Sequence, residues 1–256
     1  MFIFSFPIWA INSVRMFVKP FCLVMIAGLF VCTANAQNAA YDSLRYSEAA
    51  GQVISHYNTA IDGQSELYNG IQYHLYPPAY KGSAYFQGKT MFMPAIVRYN
   101  GTWYKDVPVL YDMYTDEMIS DLKDSLYTLR ADRISDIYLS GHHFIYLKAA
   151  ESKNLPAGYY DQLYGGASIV LVKRARTVLN RVTQQGVEVI YENQDAIYIK
   201  KGDKYIAVNS KGSVLDVFKD KTKQLKQYLG DNKIAYKKDR EASIVKLAGY
   251  YDQITN

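Results

Sequence analysis

Three groups of residues in this chain have the types and spacing to do chemistry. The first is acidic: Asp112, Asp116, Glu117, Asp121 and Asp124 fall in one short stretch, a density of carboxylates that suits a calcium ion or the paired acids of a glycosidase. Spacing restricts them. If Asp112 and Asp116 share one strand face they lie roughly 13 Å apart, too far for either standard carboxylate geometry. The second group is His142-His143, with His74 as a further candidate. Imidazole is a common metal ligand and general base. Neighbours on a strand point to opposite faces, however, so the pair cannot share one ion unless the Ser140-Gly141 turn distorts the backbone. The third is Gly82 to Thr90, GSAYFQGKT, which approaches a phosphate loop. Five residues separate its glycines where a Walker loop has four, and TMFMPAIV with Pro94 follows instead of a helix. No G-x-S-x-G elbow occurs. No cofactor or metal is expected, and no catalytic residue is assigned.

The compartment is more legible than the chemistry. From Met16 the chain reads MFVKPFCLVMIAGLFVCTANAQ: Lys19, an apolar run from Pro20 to Val31, then Ala34-Asn35-Ala36 before Gln37. A basic start stays on the cytoplasmic side, the apolar run enters the translocase, and small side chains fit the peptidase subsites. Cleavage between Ala36 and Gln37 is therefore expected. The run is shorter than the ~20 residues of a membrane helix, and Arg15 and Lys19 divide it from Phe2 to Val14. Met16 is as good a start as Met1. Leu29-Phe30-Val31-Cys32 loosely resembles a lipobox, which would tether the chain through Cys32, although Val31 stands where a small residue is usual. The expectation is an exported protein with no transmembrane segment in its mature part, placed in the periplasm, at the outer membrane or outside the cell.

Both cysteines, Cys22 and Cys32, lie in the segment that would be removed, so residues 37–256 hold no disulfide, thiolate nucleophile or Cys-type zinc site. Stability must come from packing. Lysines concentrate between residues 200 and 240, but acids are spread among them and arginine, the usual reader of phosphate, is scarce. That pattern fits a solvated face and argues against nucleic acid. All 25 tyrosines fall after Gln37, as expected of half-buried strands whose rings pack while their hydroxyls reach water.

These residues must be positioned by a mainly antiparallel α+β fold, a roll or sandwich, forming a single domain over residues 37–256. Helical spacing predicts a helix from Asp42 to Asp62. Alternation predicts strands at Tyr68 to Tyr76, across the Asn100-Gly101 hairpin, and at Val107 to Met113, Ser125 to Arg130, Ile134 to Leu139, His142 to Leu147 and Ile169 to Lys173. VEVIYE, AIYIK, KYIAVN and SVLDVF, from Val187 to Phe218, predict a four-stranded β-meander. Two helices, 219–229 and 239–254, close the chain. Strands this short, with a helical end, are not those of a membrane barrel.

The order of LYNGIQY, Val109-Leu110-Tyr111-Asp112 followed by Asp116-Glu117, Ile134 to Phe144, GYYDQLYGG at 158–166 and a lysine-rich end with helices resembles a family of exported, β-rich proteins from Bacteroidetes-type bacteria. The resemblance implies an envelope location and one architecture, and no site residues. The leading expectation is a non-enzymatic binding or structural module whose partner is a glycan or another envelope protein. A hydrolase of envelope or dietary polymers is the alternative, and would need a pocket gathering His74, His142 or His143 with two of the acids. A third reading, a binder of anionic surfaces, would need the 200–240 lysines on one contiguous face.

Overall fold

The computed structural model describes residues 67, 70–77, 80–122, 125–149 and 154–255. The chain divides into a unit Met1–Ser43 and a unit Leu44–Asn256, and the description concerns the second. The signal segment expected up to Ala36 and the helix expected at Asp42 to Asp62 lie outside the described residues.

Among the described residues twelve strands and three α-helices follow in order. The strands are β1 (Met93–Tyr99), β2 (Thr102–Asp112), β3 (Glu117–Leu122), β4 (Ser125–Thr128), β5 (Ile134–Leu139), β6 (His142–Leu147), β7 (Gly158–Gly165), β8 (Ile169–Lys173), β9 (Arg176–Thr183), β10 (Gly186–Asn193), β11 (Ala196–Lys201) and β12 (Lys204–Val208). The helices are α1 (Lys211–Val217), α2 (Thr222–Asp231) and α3 (Arg240–Thr255). Ten strands form one antiparallel sheet in the order β12-β11-β8-β7-β6-β5-β1-β2-β3-β4, and β10-β9 form a separate ribbon. The tight turns sit where left-handed backbone is tolerated: Asn100 and Gly101 have φ of 47° and 81°, Ser140 and Gly141 51° and 81°.

The large sheet curls. Strands β2 and β7 are separated by β1, β5 and β6, which would hold their side chains roughly 19 Å apart in a flat sheet. Yet the rings of Tyr111 on β2 and Tyr159 on β7 lie 6.0 Å apart. The inside of the roll is filled by Val97, Val109, Met118, Ile137 and Phe144, with Leu67 and Phe86. The other half of the same face is covered by helices: Val170, Val172, Ile197, Ile199 and Val208 meet Val214, Leu225, Ile244, Leu247 and Ala248. One cross-strand row runs through both halves, Phe144–Asp161–Val172–Ile197–Val208, and Asp161 is its charged member.

Three expectations need correction. Residues 70–77 form no strand; they lie along β4 through the single bridge Gln72↔Tyr127, with Tyr73 N–H donating to Leu126 O (2.8 Å) and Thr128 N–H to Ile71 O (2.9 Å). The approach is so close that a methyl at Gly70 would overlap Thr128 O. The meander is not four strands, since β10 pairs with β9 and β11 pairs with β8 as well as β12. Its last segment, SVLDVF, falls in and just after helix α1, started by Ser210, whose hydroxyl accepts from Ser213 N–H in a reciprocal capping box. The remaining helices match their expected spacing, with Leu225 and Leu229 buried on α2 and Ile244, Leu247, Ala248 and Tyr251 on α3. Among the described residues no helix is long and apolar enough to cross a membrane. Most lysines of the 200–240 stretch are exposed, and Lys201 pairs with Asp220 at 2.7 Å.

Candidate functional site

The turn between β2 and β3, Met113-Tyr114-Thr115-Asp116, sorts the acidic stretch onto two sides of the sheet. Tyr111 and Asp112 are strand neighbours and so face opposite ways. Asp112 is fully buried. Its Oδ1 accepts from Tyr114 N–H (2.8 Å) and Thr115 N–H (3.2 Å), folding the turn over itself. Its Oδ2 accepts from the hydroxyls of Tyr73 (2.8 Å) and Tyr76 (2.7 Å). Burial first, and hydrogen bonding around Asp112 second, hold both phenols well above the ordinary tyrosine range. Asp116, in left-handed backbone with φ of 61°, turns instead to the mouth of the roll. There it accepts from Tyr111 Oη–H (2.7 Å), Tyr159 N–H (3.2 Å) and Lys173 Nζ. The two acids do not form a catalytic pair, because each is enclosed by donors of its own on its own side.

Around Asp116 opens a cleft of about 420 Å³, lined by Ile71, Asp116, Glu117, Thr128, Leu129, Arg130, Ala131 and Tyr159. Its volume falls in the range of small-ligand sites. One of its polar groups is unengaged among the described residues: Glu117 has neither a hydrogen bond nor an ion pair from its side chain. The Tyr159 hydroxyl also has no partner, but it is closed off from solvent within the core. Asp116 is differently placed, since its oxygens are occupied. Burial pushes its carboxyl up despite Lys173, and burial pushes the Lys173 ammonium down despite Asp116. Gly158 makes this pairing possible: any side chain there would overlap both Asp116 Oδ2 and Lys173 Nζ.

The signs of those shifts give a test. A carboxylate with a raised folded pKa stabilises below its unfolded value and loses that contribution as pH rises; a lysine with a lowered pKa stabilises above its unfolded value and loses it as pH falls. Burial therefore acts against the charged form of both groups, and their pairing offsets part of that cost. Lys173→Met should therefore destabilise by about 3 kcal/mol, leaving a lone buried carboxylate, while Lys173→Met with Asp116→Asn should recover most or all of it. Urea unfolding of the four members of the cycle measures this, and additive losses would refute it.

The histidines lie elsewhere. His142 and His143 point to opposite faces, as neighbours on β6. His142 Nδ1 meets Asp161 Oδ2 at 2.8 Å and its ring stands edge-on to Phe86 at 4.9 Å. His143 faces outward, Nε2 to Asp136 Oδ1 at 3.0 Å, stacked on Tyr138 at 4.4 Å and 9°. Arg98 and Trp103 continue that outer ladder, with the guanidinium 5.6 Å from the indole centre. His74 is exposed and joins no cluster. The cleft thus brings together Asp116 and Glu117 of the expected residues and neither Asp112 nor any histidine. Among the described residues no group of three or more His, Cys, Asp or Glu is placed to hold a metal ion.

The residues that sequence reasoning missed are Tyr159, Asp161, Lys173 and Arg174. Each had a signal: Asp161 interrupts the aromatic run GYYDQLYGG, and Lys173-Arg174 directly follows the apolar run IVLV. A charge embedded in an apolar strand must find a partner. Arg174 meets Asp161 Oδ2 through Nε (3.0 Å) and Nη2 (2.6 Å), Glu241 through Nη1 (2.6 Å) and Nη2 (2.9 Å), and Asp195 through Nη1 (3.3 Å). That network ties the sheet to the start of α3. No family model, curated protein or solved structure matches this chain.

Proposed function

We propose that this is an exported, non-enzymatic envelope protein that binds a polyhydroxylated ligand, a segment of glycan, in the cleft at the mouth of the rolled sheet. The observation that carries this reading is the unengaged carboxylate of Glu117 there, beside apolar walls from Ile71, Leu129 and Ala131. A sugar has hydroxyls to donate to a carboxylate and C–H faces to lie on apolar side chains. Acid–base hydrolysis asks for two titrating groups with room to move protons. Asp116 has its oxygens committed to Tyr111, Tyr159 and Lys173, which leaves Glu117 alone. Export rests on the Lys19 to Gln37 signal pattern, and the likeness to exported Bacteroidetes-type proteins agrees with it.

Titration calorimetry against neutral oligosaccharides, chitotetraose and maltohexaose among them, tests the reading. At least one is expected to bind. Glu117→Gln should weaken that binding by a factor of about 10 or more, the cost of losing a hydrogen bond to a charged group, while Tyr159→Phe, which removes a hydroxyl closed off from the cleft, should leave it in place. Binding indifferent to Glu117→Gln would exclude the cleft. Release of reducing ends, abolished by Glu117→Gln, would establish the hydrolase in place of the binder.

A further inference from the structure

The β9–β10 ribbon ends in solvent and carries apolar side chains to its tip: Val182 and Val187, paired in register, are 83% and 64% exposed. Among the described residues its β9 edge has no neighbouring strand. Backbone hydrogen bonds show which polar groups that edge presents. Gln194 N–H donates to Ala175 O across the base of the hairpin (3.0 Å), whereas Arg176 N–H donates away from it, to Met113 O (3.0 Å). On β10, Tyr191 N–H and Val189 O are turned outward to Lys81 (2.9 and 2.8 Å). Bonds alternate along an antiparallel ladder, so Thr177, Leu179, Arg181 and Thr183 bond to β10. Val178, Asn180 and Val182 therefore turn N–H and C=O to the free edge, where no described residue meets them.

An open edge rich in β-branched residues is a template for another strand. We propose that the strand is β9 of a second copy, paired antiparallel across a two-fold axis at Asn180. The segment Thr177-Val178-Leu179-Asn180-Arg181-Val182-Thr183 is nearly palindromic, and with Asn180 opposite Asn180 of the partner subunit, Val178 meets the partner subunit's Val182 and Thr177 meets the partner subunit's Thr183. Leu179 faces the partner subunit's Arg181, so no like charges are opposed. Every outward N–H and C=O at 178, 180 and 182 gains a partner. Neighbouring registers that keep the same faces fail. A shift one way opposes Arg181 to itself, and a shift the other way calls on Arg176 N–H, which Met113 O already holds. The contact is isologous and closes as a dimer, building a four-stranded ribbon whose apolar row joins Val187 and Val182 to Val178 of the partner subunit.

Sedimentation of the full chain tests this. The wild type should run at twice the monomer mass at micromolar concentration. Asn180→Pro removes an N–H that the hairpin itself does not use, and Val182→Lys adds charge at a site already in solvent. Each should weaken the dimer by a factor of about 10 or more while leaving in place the unfolding curve measured at a dilution where the wild type is also monomeric. In a Cys22→Ser, Cys32→Ser background, which removes both native cysteines, Asn180→Cys should cross-link on oxidation, because hydrogen-bonded antiparallel pairs place Cα atoms about 5.5 Å apart, within disulfide reach. A monomeric wild type, a dimer that survives both edge variants, or a dimer in which Cys at 180 stays reduced would each overturn the proposal.

Discussion

Arg174→Met is expected to lower the unfolding free energy by about 3–5 kcal/mol, the cost of leaving buried charge without its partner. The guanidinium is 9% exposed and Asp161 1%, so neither is relieved by water. Burial alone would lower the pKa of Arg174, but the carboxylates of Glu241 and Asp161 more than reverse it and hold the group charged. Without Arg174, Asp161 keeps His142 and has one oxygen, Oδ1, that is unpaired already. The loss also unfastens three junctions at once: β7, the Asp195 turn before β11, and the first turn of α3. Replacing both partners, Arg174→Met with Asp161→Leu, should restore much of the stability, since the Phe144–Val172 row around Asp161 is apolar and a buried ion pair exchanged for packed hydrocarbon is often neutral. Urea unfolding decides the matter. A loss below about 1 kcal/mol for the single change would mean that the network is solvated and weak.

Asp112→Ala should cost a comparable 3–5 kcal/mol, for a different reason. Among the described residues Asp112 has no cation beside it; four neutral donors hold it. Removing the carboxylate orphans two backbone N–H groups that shape the β2–β3 turn and two phenols that pin residues 73–76 to the sheet. The aromatic cluster that depends on this, in which Tyr76 stands 5.9 Å from Tyr85, 6.2 Å from Tyr114 and 5.6 Å from Tyr191, would lose its anchor. Asp112→Asn keeps the shape but presents an amide N–H₂ to donors, so it should recover part of the loss. Thermal unfolding of the two variants, with Tyr73→Phe/Tyr76→Phe as the complementary deletion, measures it. If Asp112→Ala melts like the wild type, the carboxylate is not what organises the turn.

Local patterns were sufficient for elements whose partners are sequence neighbours. Asn100-Gly101 and Ser140-Gly141 dictate hairpins because left-handed backbone is cheap there, and β5, β6 and β8 run as their alternation predicts. The i, i+3, i+4 stripe of α3 announced a buried face. The strand at 158–165 was harder to see, because Gly158 and the charged Asp161 broke the expected alternation. Asp161 is buried only because Arg174, thirteen residues away, folds back over it. SVLDVF illustrates another limit: a short apolar run fits strand and helix alike, and the choice fell to Ser210 as a cap.

The candidate site divides along the same line. Asp116 and Glu117 were visible as acids in a turn, but Lys173 is 57 residues from Asp116, and nothing in the local sequence says that β8 will end beside the β2–β3 turn. Likewise, alternation identified VEVIYE as a strand, but the meander expected there gave it AIYIK as a neighbour where it pairs with β9, since period-two patterning reports which face is buried and carries no information about which edge is paired. Composition and local spacing by themselves determined a mostly antiparallel, tyrosine-rich, cysteine-poor body with helices at its end and a hairpin wherever two residues accept positive φ. The curl of the sheet, and with it the cleft, the separation of Asp112 from Asp116 and the burial of Asp161 under Arg174, was decided only by tertiary structure, because each depends on contacts between strands that are distant in sequence and meet when the sheet closes on its own core.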